Sequence, residues 1–333
     1  MIIISKEGTY GGIDHKTAQR YSAKQGKPVT VSKEEGEFLR AYFPDRFRFL
    51  GGTFPLSTGN GKTFTDIIVP AYKNEDWTIA CFESIKRCTE PGTYKLFWVD
   101  GASPEKSRTK VSKVLLGVNH QKIFLDENIG FVGATNAGLK ESRAPTVCLL
   151  NNDTIVSAGW LKKLTSTLLE NEIGIIGAMS QWQNAEVDKA IQQSITKFWE
   201  KFSFPDKINL INKKNQDDVD EYNKLLEEKF KGKYINAPGF VAFYAAVLRR
   251  EVLDAVGFLN EEFGIGLYDD CDYCEEAVSK GFSLAVALDT LIYHESNVTF
   301  KITSTIEEFA DAHYKNSLLY QKNRKRREES QAL

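Results

Sequence analysis

Asp269, Asp270 and Asp272 put three carboxylates into four consecutive positions. Like charges this close repel, which raises the pKa of at least one of them toward the range where a side chain can take up a proton. Three other polar points stand just after apolar runs. Asp100 follows Tyr94 to Val99, Asn151-Asn152-Asp153 follows Pro145 to Leu150, and His294 follows Leu291-Ile292-Tyr293. A side chain that ends a strand projects where a ligand can reach it. Cys271 and Cys274 form a single Cys-x-x-Cys inside the acidic run. A lone pair is a weak sign of zinc, and neighbouring carboxylates raise thiol pKa values rather than lower them.

These groups are carried by an alternation of strands and helices. Strands are expected at 65–69, 94–99, 122–125 and 145–150, with helices at 77–88, 111–118, from 133 to 141, and at 160–170. Alternation of this kind implies an α/β fold with a mostly parallel central sheet and helices on both faces. Ligands of such sheets bind beyond the carboxyl ends of the strands, where Pro70-Ala71-Tyr72, Asp100, Asn128 to Phe131 and Asn151 to Asp153 fall.

Residues 1–50 read as a small α+β accessory unit. Short strands are expected at 2–4 and 28–31, a helix at 15–24, and a second helix capped by Ser32 with Glu35 and ended by Pro44. Residues 51–62 have linker composition, with four glycines and a proline. The catalytic body is expected over 63–305. It is interrupted at 181–235 by a polar insertion bearing Trp182, Phe198, Trp199, Phe202 and Phe204. A helical tail, 306–333, carries five basic residues between Lys322 and Arg327.

The 333 residues contain 43 Lys and Arg against 45 Asp and Glu, a net charge of −2. This balance excludes a global attraction to nucleic acid. No apolar run is long enough to span a bilayer. Five cysteines, an odd number in a chain able to build its own core, point to a reducing, cytoplasmic setting.

Seven motifs in order give the chain a family likeness. They are Ile67-Ile-Val-Pro-Ala-Tyr72, Val99-Asp-Gly-Ala-Ser103, Asn128-Ile-Gly-Phe-Val-Gly-Ala-Thr-Asn-Ala-Gly138, Leu149-Leu-Asn-Asn-Asp-Thr154, the run Gly239 to Gly257, Asp269-Asp-Cys-Asp272 and Tyr293-His-Glu295. Over about residues 63–300 the sequence resembles the family 2 glycosyltransferases, whose GT-A fold is Rossmann-like. The resemblance implies an inverting, metal-assisted transfer of a sugar from a nucleotide-sugar, UDP- or dTDP-linked, to an acceptor hydroxyl. It implies a donor site formed by Pro70, Ala71, Tyr72, Asp100, Asn128, Gly130, Phe131, Asn136, Asn151 and Asn152. Asp100 would accept the imino N–H of the base, and Tyr72 would stack on it. Asp153 and His294 would be direct ligands of Mn2+ or Mg2+, ions that take oxygen donors and leave positions for water and phosphate. Asn151 stands where a strict DxD has its first aspartate, and an amide there is suited to ribose or a metal-bound water.

Asp270 matches the catalytic base, and Asp269 stands where the family usually has Glu. Asp272 and Trp182 are expected on the acceptor side, the acceptor being a glycan, a lipid-linked sugar, a protein or a modified nucleic acid. Two rival classes share the scaffold. A nucleotidyltransferase would carry a glycine-rich loop after its first strand, and residues 70–76 contain no glycine. A non-catalytic carbohydrate- or nucleic-acid-binding module would make use of the basic tail.

Overall fold

The computed structural model describes residues 2–5, 9–13, 20–24, 28–30, 47–50, 64–180, 213–237, 239–296, 298–299 and 305–331. Contacts divide the chain into two compact units, residues 1–56 and 57–333.

In the first unit, β1 (Ile2–Ser5) lies between β4 (Pro28–Thr30) and β5 (Phe47–Leu50), antiparallel to both. β2 (Thr9–Ile13) and β3 (Arg20–Lys24) form a separate antiparallel pair. The helix expected at 15–24 is therefore a strand over its second half. Alternation of Arg20, Ser22 and Lys24 with Tyr21 and Ala23 suits a two-residue period. The helix expected after Ser32 and the linker at 51–62 lie outside the described residues.

The second unit is built on a nine-stranded sheet in the order β10-β14-β11-β13-β9-β6-β7-β8, with β12 paired to β14. Its elements in chain order are β6 (Thr65–Ala71), α1 (Glu75–Cys88), β7 (Tyr94–Asp100), α2 (Glu105–Val114), β8 (His120–Phe124), α3 (Gly130–Glu141), β9 (Thr146–Leu150), β10 (Thr154–Val156), α4 (Trp160–Glu170) and β11 (Ile175–Met179). They continue with α5 (Lys213–Phe230), β12 (Tyr234–Asn236), β13 (Ala245–Arg249), α6 (Arg250–Val256), α7 (Asp269–Ser279), β14 (Leu284–His294) and α8 (Ile306–Gln331). Six strands, β6, β7, β8, β9, β11 and β14, share one direction, while β10, β12 and β13 oppose it.

The central strands are apolar throughout because both faces are covered. Ile67, Val69, Leu96, Trp98, Cys148 and Leu150 face α1, α2 and α4. Their neighbours Ile68, Phe97, Val99, Val147 and Leu149 face α3, α6 and α7. This parity is the two-residue period of a strand buried on both sides. The helix expected at 111–118 instead starts after Pro104 and stops at Val114, because proline suits the entrance to a helix and Gly117 takes φ +79°. Within the insertion, α5 packs its Val219, Tyr222 and Leu226 on Leu288, Leu291 and Tyr293 of β14. The C-terminal helix α8 is docked, not loose. Arg327 bonds Asp272 at 2.8 Å and Glu275 at 2.7 Å on α7.

One loop is fixed by a single amide. Asn136, fully buried on α3, donates through Nδ2 to the Leu259 carbonyl (2.9 Å) and to Glu261 Oε1 (3.0 Å). Its Oδ1 accepts the Leu259 N–H at 3.0 Å. Asn136→Ala leaves buried backbone groups unpaired, and each such loss costs about 1–3 kcal/mol. Urea unfolding should therefore show a stability loss of about 2 kcal/mol or more. An unchanged midpoint would mean that the loop is held by its other contacts.

Candidate active site

Sheet register brings the polar strand ends to one edge. β6 and β7 pair in parallel with Ala71 opposite Asp100, and β6 pairs with β9 in the same sense. The antiparallel ladder of β10 and β14 sets Thr154 opposite His294, so Asp153 and His294 become neighbours from 141 positions apart in sequence. The Asn151 N–H donates to the Tyr244 carbonyl at 2.8 Å, which brings the Tyr244 ring flat against the imidazole, 4.8 Å between centroids at 9°.

A cavity of about 530 Å³ opens at this edge. Pro70, Ala71, Tyr72 and Gly101 line one side; Asn128, Gly130 and Phe131 line another. Asn151, Asn152, Asp153 and His294 form its polar floor, and Asp269 and Asp270 stand on the α7 side. Of the donor-site residues expected from sequence, Asp100 and Asn136 are not in this lining. Asp100 is 2% exposed. Its Oδ1 accepts the Ser103 N–H (2.8 Å) and Arg108 Nε (2.7 Å), while the Arg108 guanidinium lies over Phe124. Asn136 serves the loop described above. Asp272 faces a second cavity with Asn323 and Arg326, and Trp182 lies outside the described residues.

The floor is rich in acceptors. Asp153 is 6% exposed, and its Oδ1 stands 3.2 Å from His294 Nε2 but out of line for a hydrogen bond. Asn151 Oδ1 is also buried without a hydrogen-bond partner. The Asn151 amide group lies 3.2 Å from Nε2; an amide NH2 only donates, so Nε2 accepts and Nδ1–H is left to Ser296 Oγ at 3.2 Å. A carboxylate oxygen, an amide oxygen and an imidazole nitrogen, all acceptors and two of them unpaired, fit a divalent cation. Among the described residues no group of three His, Cys, Asp or Glu side chains is arranged for a metal; Asp153 and His294, with the Asn151 amide, are the groups at this floor that would hold one. Cys271 and Cys274 are free thiols whose pKa values burial pushes up.

Asp269 and Asp270 open α7, where the helix dipole favours negative charge. Burial works the other way and is larger. Desolvation, with the Asp270 charge beside it, pushes the Asp269 carboxyl up to about 8. Burial also raises Asp270, against the N–H groups of Cys271 and Phe243 that favour its charged form. Asp270 Oδ1 accepts the Cys271 N–H at 2.8 Å. Such a pair holds a proton near neutrality and can exchange it with a hydroxyl in the cavity.

Sequence reasoning had no signal for Tyr244 or Arg108, since Tyr244 meets a residue 50 positions away and Arg108 reaches Asp100 from a helix that reads as surface. Ser296 is two positions from His294, and a lone serine after a strand carries no pattern.

A family model described as Glycosyl transferase family 2 matches residues 66–257, more than half of the chain. Among curated proteins, the chain is 22% identical over 273 residues to Uncharacterized protein y4gI of Sinorhizobium fredii, covering 79% of this chain and 28% of that protein. It is 22% identical over 116 residues to the glycosyltransferase AglE of Haloferax volcanii, covering 34% of this chain and 38% of that one. The chain thus spans well under half the length of these relatives. Among solved structures, S. aureus TarS 1–349 aligns over 72% of this chain and 62% of its own at 16% identity and TM-score 0.49. The mannosyltransferase PcManGT of Pyrobaculum calidifontis, in complex with GDP-Man and Mn2+, aligns over 79% and 64% at 13% identity and TM-score 0.48.

The raised Asp269 carboxyl makes stability depend on pH. Its protonated form is the one the fold favours, so its contribution is present below pH 4 and is lost as pH rises toward 8. Asp269→Asn should match the parent in urea unfolding near pH 4 and exceed it at pH 9. The gain should be about 1 kcal/mol or more, since a tenfold change in the protonation equilibrium is about 1.4 kcal/mol. Equal stability at both pH values would contradict the assignment.

Proposed function

This chain belongs to glycosyl transferase family 2, and we propose that it moves a sugar from a UDP- or dTDP-linked donor to an acceptor hydroxyl with inversion at the anomeric carbon. One observation carries the reading: a single cavity joins the strand-end turn Pro70–Tyr72, the acceptor-rich floor of Asn151, Asp153 and His294, and the carboxylates Asp269 and Asp270.

Pro70 lacks a backbone N–H, and with Ala71 and Tyr72 it forms the wall for the nucleoside. Tyr72 stacks on the base. The buried Asp100, braced by Arg108 and Ser103, stands behind Gly101 at the base end of this wall. Asn128, Gly130 and Phe131 lie under the donor sugar. Asp153 and His294 would hold a Mn2+ or Mg2+ ion, with the Asn151 amide beside them on the ribose side. When bound, that ion offsets the charge growing on the diphosphate as the glycosidic bond breaks. Asp270 takes the proton of the acceptor hydroxyl, whose oxygen attacks the anomeric carbon from the face opposite the leaving diphosphate, in the single-displacement manner of inverting glycosidases. Asp269 stands beside it and orients the acceptor. The acceptor is a glycan, a lipid-linked sugar, a protein side chain or a modified nucleic acid. No helix among the described residues is long and apolar enough to cross a membrane. Residues 1–50 act as an accessory unit.

A pair of variants separates the two roles. Asp270→Asn keeps size but accepts no proton, so turnover should fall about 10²–10⁴-fold while UDP and Mn2+ still bind in calorimetry. Asp153→Ala should lose Mn2+-dependent UDP binding first. Near-normal turnover in Asp270→Asn, or loss of UDP as severe as in Asp153→Ala, would move the base to another carboxylate.

A further inference from the structure

The chain just before the paired carboxylates is wound in a conformation that relaxed backbone avoids. Gly264, Gly266, Leu267 and Tyr268 have φ of +51°, +99°, +73° and +66°. For the two that are not glycine, this costs on the order of 1–3 kcal/mol each. Surrounding contacts must therefore hold the segment.

They come from two sides. On the α3 side, the Gly264 carbonyl accepts the Val132 N–H at 3.0 Å. The approach is so close that a Cβ on Gly130 would lie 2.4 Å from that oxygen. On the other side stands α8, which lies beyond the family match at 66–257. Asn316, buried on α8, spends both hydrogens of its amide on this segment. Nδ2 donates to the Phe263 carbonyl at 2.9 Å and to the Gly266 carbonyl at 2.6 Å. Tyr320 stacks on Tyr268 at 5.7 Å and 20°, and the Tyr268 hydroxyl lies 3.2 Å from His313 Nε2.

The Gly266 carbonyl and the Leu267 N–H belong to one trans peptide, so they point in opposite directions. The Asp269 carboxyl packs against this stretch: a Cβ on Gly266 would meet its Oδ1 at 3.4 Å, and the backbone at Leu267 favours its charged form. Fixing the carbonyl from α8 thereby fixes the peptide against which that carboxyl lies.

We propose that Asn316 is a positioning residue: by holding the Gly266–Leu267 peptide from the C-terminal helix, it sets the orientation of Asp269 beside Asp270. The effect on rate rests on the transferase reading; the effect on geometry does not. Other charged or titratable groups meet this corner from both helices. Asp270, Cys271 and Cys274 lie on α7 with Asp269. From α8, His313 and Tyr320 contact Tyr268, and Arg324 and Arg327 face Glu275 and Asp272. From α3, the nearest side chain is the uncharged Phe131.

The test uses the full chain with Asn316→Asp and Asn316→Ala. Aspartate keeps the size of asparagine but turns an acceptor toward two carbonyls, so it should be at least as damaging as alanine. A space-filling role would give the reverse order. Amide exchange at Leu267 and Tyr268 should rise about tenfold or more, as for a local opening, while β6 and β7 keep their protection. The Asp269 carboxyl, followed by 13C NMR titration, should move further upward, because it loses an N–H that favours its charged form. With the nucleotide-sugar the wild type turns over, kcat should fall about 10²-fold, the usual cost of an ångström-scale misplacement, at unchanged donor KM and unchanged UDP affinity. If Asn316→Asp does not fold, Tyr320→Leu removes the neighbouring stack and should loosen the same two amides.

Unaltered exchange and an unmoved Asp269 titration overturn the proposal, as does an unaltered kcat in an active preparation. A wild type that turns over no nucleotide-sugar overturns the transferase reading instead, and the exchange and titration results then decide the positioning role by themselves.

Discussion

The site hangs on a ladder of three residue pairs. β10 runs antiparallel to the end of β14, with Thr154 opposite His294, and the Glu295 N–H closes onto the Asp153 carbonyl at 3.0 Å. This is what makes Asp153 and His294 a pair of donors instead of two isolated polar residues. The strand leading into the ladder, β9, lies at the centre of the sheet between β6 and β13. This corner is therefore anchored in the central part of the sheet, and the Tyr244 ring packs the imidazole from the turn before β13.

Charge at the other side of the cavity is set by competition. The first turn of α7 carries three aspartates, and a helix N-terminus rewards such charge by about 0.3–1 kcal/mol per group. Desolvation of Asp269 and Asp270 outweighs that reward and raises both carboxyls. Asp272, equally close in sequence, is instead paired with Arg327 at 2.8 Å. One acidic run thus gives a buried carboxyl pair beside the cavity and one structural ion pair. The division follows helical geometry, since positions two apart, such as Asp270 and Asp272, do not share a face.

The C-terminal helix joins the two themes. It holds the α7 side chains by ion pairs and the preceding loop by an amide and an aromatic stack. Its basic residues, which by sequence read as a tail for anionic partners, are partly committed inward: Arg327 is nearly buried between Asp272 and Glu275.

Local pattern was enough to read much of the fold. The apolar runs at 65–69, 94–99 and 145–150 could only be strands covered on both faces, and the three-to-four spacing from Trp160 to Glu170 gave a helix with those bounds. The polar ends of those strands were legible for the same reason, because an abrupt change from apolar to polar marks where a strand leaves the core. Tertiary structure alone decided which polar residues meet. Nothing local distinguishes Asn136, which fastens a loop from inside the core, from Asn128, which lines the cavity. Nothing local brings Arg108 to Asp100, Asp153 to His294 or Asn316 to Gly266. Periodicity reports whether a residue faces the core, whereas these contacts depend on strand register and on helices packed from distant parts of the chain, which a one-dimensional pattern does not encode.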